Sequence, residues 1–157
     1  MSENKVDFVT YTNDHSSIVK SGINAISKVL KGTDIAEKRS LLFCLDKYLD
    51  PYYGYNLPYS DDIFILLQEQ LFLTDTKEVK EDILQLLRDY SKKSLDYLAE
   101  KLEELESEPD LLQDALYALG HTYNLKYVPV FIRYESHHNP FIRSAVKEIL
   151  IDLSELN

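Results

Sequence analysis

The sequence predicts an all-α protein built from a recurring helix pair. Three observations carry that prediction. Apolar residues return at spacings of three and four along most of the chain, the period of one helical face. No segment alternates apolar and polar residues in the way a half-buried strand requires. The stripes of successive helices also fall into register at an interval of about 30 residues, which marks a repeat architecture.

The elements follow in order. Residues 1–13 have no clear period and read as an N-terminal tail or a short docking strand, which leaves 14–157 as a single helical domain. Asp14 to Ser17 offer caps before Ile18, Val19, Ile23, Ile26, Val29 and Leu30, read as the stripe of one helix that Gly32 stops. Asp34 caps the next, with Leu41, Leu42, Leu45, Tyr48 and Leu49 inward. Asp50-Pro51 ends it, because a residue before proline avoids the α region. Ser60, Asp61 and Asp62 cap a helix to about Leu73. A helix over about 77–90 buries Val79, Ile83, Leu86 and Leu87. Ser91 is read as the cap of another, carrying Leu95, Leu98, Leu102 and Leu105. Pro109 suits the first turn of a helix that holds Leu111, Ala115, Leu116 and Leu119 and closes at Gly120. Helices over about 125–136 and 139–153 complete a set of about eight.

Lys77, Pro109 and Pro140 stand in register, 32 and 31 residues apart. Two positions on are Val79, Leu111 and Ile142; six on are Ile83, Ala115 and Val146; ten on are Leu87, Leu119 and Leu150. The second helices match as well, Leu95 with Tyr127, Leu98 with Val130, and Leu102 with Tyr134. An earlier unit starting near Arg39 fits the same offsets but is longer, and a tyrosine-rich loop supplies the excess. A repeated helix pair of this length is the signature of an α-solenoid.

Within the register, Asn139-Pro140-Phe141-Ile142-Arg143-Ser144-Ala145-Val146 resembles the first-helix motif of a HEAT repeat. Ala118-Leu119-Gly120 followed by Val128-Pro129 is similar to the pattern of bacterial HEAT-like repeats. The likeness is good over roughly 107–153, fair over 77–106 and weak before residue 60, and Leu112 stands where the family favours arginine. The resemblance implies a short right-handed α-solenoid whose second helices line a concave surface. Small acidic HEAT-like proteins of this length also resemble bacterial immunity proteins encoded beside polymorphic or contact-dependent toxins.

Composition narrows the function classes. The 157 residues hold 27 Asp and Glu against 17 Lys and Arg, a formal charge of −10. Such a chain repels phosphate backbones, so a nucleic-acid partner is not expected. HEAT-like base-excision enzymes need a basic groove, and the sign here is opposite. Only four glycines leave little material for phosphate-cradling loops. No apolar run approaches the ~20 residues of a membrane span. The N-terminal sequence lacks the basic and apolar regions of a secretory signal, so the expected compartment is the cytoplasm. The single cysteine, Cys44, lies in an apolar run and is expected to be buried and inert. No nucleophile elbow, phosphate loop, zinc-protease or EF-hand motif is present, so no enzyme activity, metal or cofactor is expected. His137 and His138, adjacent on a helix end, point about 100° apart and are read as solvated.

Two features rise above this background. Residues 96–114 hold eight carboxylates against Lys101 alone, seven of the ten excess negative charges. With the leucines turned inward, Asp96, Glu100, Glu103 and Glu104 face outward. The second feature is Tyr52, Tyr53, Tyr55 and Tyr59, four of twelve tyrosines within eight residues, flanked by Asp61 and Asp62. Tyrosine combines large area with few rotamers and a polar tip, which suits an interface; the alternative is a packed lid. Together these residues are the expected partner-binding surface. The expected function is a protein-binding module, an immunity protein that neutralises a basic toxin such as a nuclease. The alternative is a scaffold or regulatory adaptor that binds a helix or tail of a cellular partner. The sequence leaves the oligomeric state open.

Overall fold

The structure is a computed structural model that describes residues 9–156. Among these residues there are nine α-helices, three short 3₁₀ turns and no strand. The chain divides into two compact units, Met1–Ser60 and Asp61–Asn157. The first eight residues of the expected tail lie outside the described residues.

The first unit packs three helices, α1 (Asn13–Ser21), α2 (Ile23–Leu30) and α3 (Ile35–Leu49), each against the other two. Thr12 caps α1 by accepting a hydrogen bond from the Asp14 N–H, and His15 returns the favour by accepting from the Thr12 N–H. The helix expected to run through to Leu30 is broken at Gly22. Its φ of 113° and ψ of −175° lie in a region that only glycine adopts readily, so one residue ends α1 and starts α2. The apolar spacing carries on across the break and conceals it. Asp34 caps α3, and Val19, Ile26, Leu30, Leu41, Leu42 and Leu45 form the core with the buried Cys44.

The second unit holds α4 (Ser60–Leu73), α5 (Lys77–Tyr90), α6 (Asp96–Glu100), α7 (Pro109–Gly120), α8 (Val128–Tyr134) and α9 (Pro140–Ser154). Helices α5, α7 and α9 pack in a row, α5 on α7 and α7 on α9. Prolines at the first helical position start α7 and α9, where the missing N–H costs nothing. At the other end of α7, a Cβ on Gly120 would stand 2.9 Å from the Ile149 side chain, so its bareness sets how closely α7 and α9 approach.

Between α5 and α7, Ser91 does not start a helix. It ends α5, and the chain becomes helical again only at Asp96, continuing as a 3₁₀ turn over Leu102–Leu105. The inward face is nevertheless the expected one, with Leu95, Leu98, Leu102 and Leu105 all buried. The late start has a local cause. The Leu98 N–H, an orphan donor of the first turn, bonds to Gln68 Oε1 at 3.0 Å, and the Leu95 N–H bonds to the Tyr127 hydroxyl at 2.6 Å.

Hydrogen bonds between elements of this unit have a characteristic reach. Gln68 to Leu98, Asp96 to Tyr127, Glu106 to His137 and Tyr117 to Glu148 join residues 30 or 31 apart. That separation equals the interval of the sequence register.

Candidate functional site

The turn of chain from α6 into the Leu102–Leu105 segment places its four leucines inward and leaves Asp96, Glu100, Glu103 and Glu104 exposed. Exposure is not the same as availability. Asp96 Oδ1 lies 2.8 Å from Lys126 Nζ and accepts the Tyr127 hydroxyl at 2.7 Å. Hydrogen bonds from Lys126, Tyr127 and Ser94 hold its pKa down at about 2. Asp96 therefore joins α6 to the Leu125–Tyr127 turn. Glu104 pairs with Lys101 at 3.2 Å, one helical turn away. Farther along, Glu106 is bonded to His137, Glu108 to Lys80, and Asp110 to Lys77. Three of the eight carboxylates, Asp96, Glu108 and Asp110, thus have a lysine partner 28 to 33 residues away.

Glu100 and Glu103 are left without an ion pair among the described residues. Both line a cavity of about 290 Å³, together with Ala99, Leu102, Val130, Arg133 and Tyr134. Its lining is mixed, with Ala99, Leu102 and Val130 apolar beside two carboxylates and the Arg133 guanidinium. Tyr134 lies buried in the wall, and burial raises the pKa of its hydroxyl. Such a groove can seat an apolar side chain and hold a basic group at its carboxylates.

No known protein family, curated protein or solved structure matches the chain.

The tyrosine cluster belongs to the first unit. Pro51–Tyr53 form a 3₁₀ turn capped by Asp50, closed by Gly54 at a φ of 72°. Tyr52 is 86 % exposed, and Tyr53 and Tyr55 are also exposed. Tyr55 stacks on Tyr48 with ring centroids 4.4 Å apart, Tyr52 meets Tyr53 edge to face, and Lys47 lies 5.8 Å from the Tyr53 and Tyr55 rings. Tyr59 differs, with a buried hydroxyl that has no hydrogen-bond partner among the described residues. The cluster therefore divides into three displayed rings and one tucked away. In the second unit, Asp61 pairs with Lys93 at 2.9 Å while Asp62 is exposed.

His137 is not solvated as expected. Its side chain is only 8 % exposed, bonded to Glu106 and to the Asn139 N–H; His138 stacks on it and is exposed. No group of three or more His, Cys, Asp or Glu among the described residues could hold a metal, and no helix there is long and apolar enough to cross a membrane.

The sequence reading missed Arg133 and Tyr134, which face the acidic residues. It also passed over a second set around Arg88, Asp114, Tyr117 and His121, where two further cavities lie. The repeat register was the available signal for both sets, because it aligns residues of neighbouring helix pairs.

Proposed function

We propose that the chain is a protein-binding module of HEAT-like helix pairs, an immunity protein that binds and neutralises a basic toxin through the groove beside α6. One observation supports this reading most. Glu100 and Glu103 enter no ion pair among the described residues and line, with Arg133 as the one basic group, a cavity that also has apolar lining from Ala99, Leu102 and Val130. A basic partner finds both an anchor pocket and electrostatic attraction there, and steering of this kind raises association rates by about 10–10³. Tyr52, Tyr53 and Tyr55 are a separate exposed aromatic patch of the first unit, which by itself suits a protein partner. On this reading the acidic surface masks a polyanion-binding active site and the chain has no catalysis of its own.

The test is to express the product of the neighbouring reading frame, screened for a basic C-terminal module, and measure its binding. The expected outcome is a complex that the Glu100→Lys/Glu103→Lys double variant weakens by about tenfold or more through loss of charge complementarity. Unchanged binding by that variant would end the acidic-groove mechanism. Replacing Tyr52, Tyr53 and Tyr55 by alanine is expected to weaken the complex while helical signal stays intact.

A further inference from the structure

Two cavities open side by side along α5, α7 and α9, of about 480 and 220 Å³. Arg88 and His121 line both. The lining charges are lopsided. Arg88 is the one Lys or Arg among them, against Glu81, Asp89, Asp114, Glu148 and Asp152. The Arg88 guanidinium lies 5.2 Å from the centre of the Tyr117 ring and enters no ion pair among the described residues. Tyr117 donates its hydroxyl proton to Glu148 at 2.7 Å, which fixes the ring.

Asp114 is the unresolved group. It is half-buried, with no hydrogen bond or ion pair to its side chain among the described residues. Desolvation raises its pKa; Arg88 opposes this without cancelling it, and Asp110 and Glu81 add to the rise. A carboxylate in that position destabilises the fold while ionised, and an arriving cation would relieve it. The aromatic walls indicate which cation. Tyr117, His121 and the exposed Tyr123 line the smaller cavity, His121 also lines the larger one with Asp114, and the Tyr117 ring already carries the Arg88 guanidinium. A planar guanidinium both stacks on rings and forks onto a carboxylate, whereas an ammonium does only part of this.

We propose that this double cavity receives an arginine side chain of a protein partner, with Asp114 as its carboxylate and Tyr117, His121 and Tyr123 as its aromatic walls. A protein source follows from the surroundings. Tyr123 and Leu125 stand exposed at the α7 exit and offer apolar area for the chain that carries the arginine. The site uses different helices from the groove beside α6 and does not depend on it.

Tyr123 is held at a φ of 54°, a left-handed conformation that a bulky residue adopts at a cost. Glycine would suit that backbone better, so the ring sits at the cavity edge against local preference. This makes Tyr123→Gly informative, because it should raise thermal stability and remove one wall together.

The probe is an acetylated peptide of alternating glycine and arginine, compared with the same peptide carrying citrulline, which has the shape without the charge. Binding is followed by the NMR signals of the His121 ring. The arginine peptide is expected to move them saturably and the citrulline peptide not to. Asp114→Asn should fold at least as stably and bind about tenfold more weakly, since one half of a desolvated charge pair is gone. Glu69→Gln removes the same charge from the exposed side of α4 and should leave the affinity unchanged. Equal weakening by Asp114→Asn and Glu69→Gln, or a silent His121 ring, would overturn the proposal. So would an unaltered affinity in Tyr123→Gly. The Glu100→Lys/Glu103→Lys variant should bind the peptide as the unaltered protein does; loss of binding there would move the site to the other groove.

Discussion

The imidazoles of His15 and His137 are both buried and bonded at both nitrogens. In each, Nδ1 lies at hydrogen-bond distance from a backbone N–H, of Thr12 or of Asn139, and Nε2 lies within 2.9 Å of a glutamate oxygen, of Glu37 or of Glu106. A backbone N–H can only donate, so Nδ1 must accept and the ring proton must sit on Nε2. Each histidine thereby ties a helix start to a distant carboxylate with one fixed tautomer. Long-range nitrogen–proton NMR correlations at neutral pH should show the Nε2–H form for both rings. Changing His137 to alanine should cost about 1–3 kcal/mol in urea unfolding, because it strips a partner from the Asn139 N–H. Neither role was legible in the sequence. His137 lies in a run of polar residues at a helix end, and its partner Glu106 is 31 residues away. Gly22 was also misread, although a glycine within a helical stripe costs about 1 kcal/mol against alanine and was a warning.

At the scale of elements, α6 shows how side chains from other elements can decide where a helix begins. Its five residues are too few to be stable alone. What holds it is a buried row of leucines and the side chains of Gln68 and Tyr127, which satisfy N–H groups at its start. The Tyr127 hydroxyl accepts from the Leu95 N–H and donates to Asp96, with Ser94 and Lys126 completing the network. Removing that hydroxyl with Tyr127→Phe leaves a buried N–H unpaired, a loss of about 1–3 kcal/mol. The same variant should alter the acid limb of stability. The Asp96 pKa in the folded chain is about 2, below its ordinary 3.8. Stability from that shift is therefore complete above about pH 4 and declines as the pH falls toward 2. Tyr127→Phe should flatten this decline, and added salt should shrink what remains because Asp96 is exposed to solvent. The inward face of α6 was readable from leucine spacing, since burial follows period. The helix start was not, since Ser91 has a capping side chain and an extended backbone like Asp34 and Asn139, yet the residues after it turn helical only at Asp96.

For the whole molecule, the charge of −10 is the property with the widest reach, and it acts on stability as well as on partners. Two effects of salt oppose each other. Ion pairs such as Lys77–Asp110, Lys93–Asp61 and Lys101–Glu104 weaken on screening, but they are exposed, and such pairs are worth about 0–1 kcal/mol each. The uncompensated carboxylates repel one another over distances comparable with the Debye length, about 10 Å at 0.1 M salt, and screening relieves all of them together. Several lie close by in the cavities along α5, α7 and α9, where Asp114 has its pKa raised by burial first and by Asp110 and Glu81 besides. Repulsion should win. Thermal melts are expected to give a Tm that rises between about 0.02 and 0.2 M sodium chloride, with less gain in Asp114→Asn, where one repelling charge is absent. A Tm that falls with salt would show that the ion pairs dominate, and would make the acidic surface a framework of the fold more than a surface free for docking.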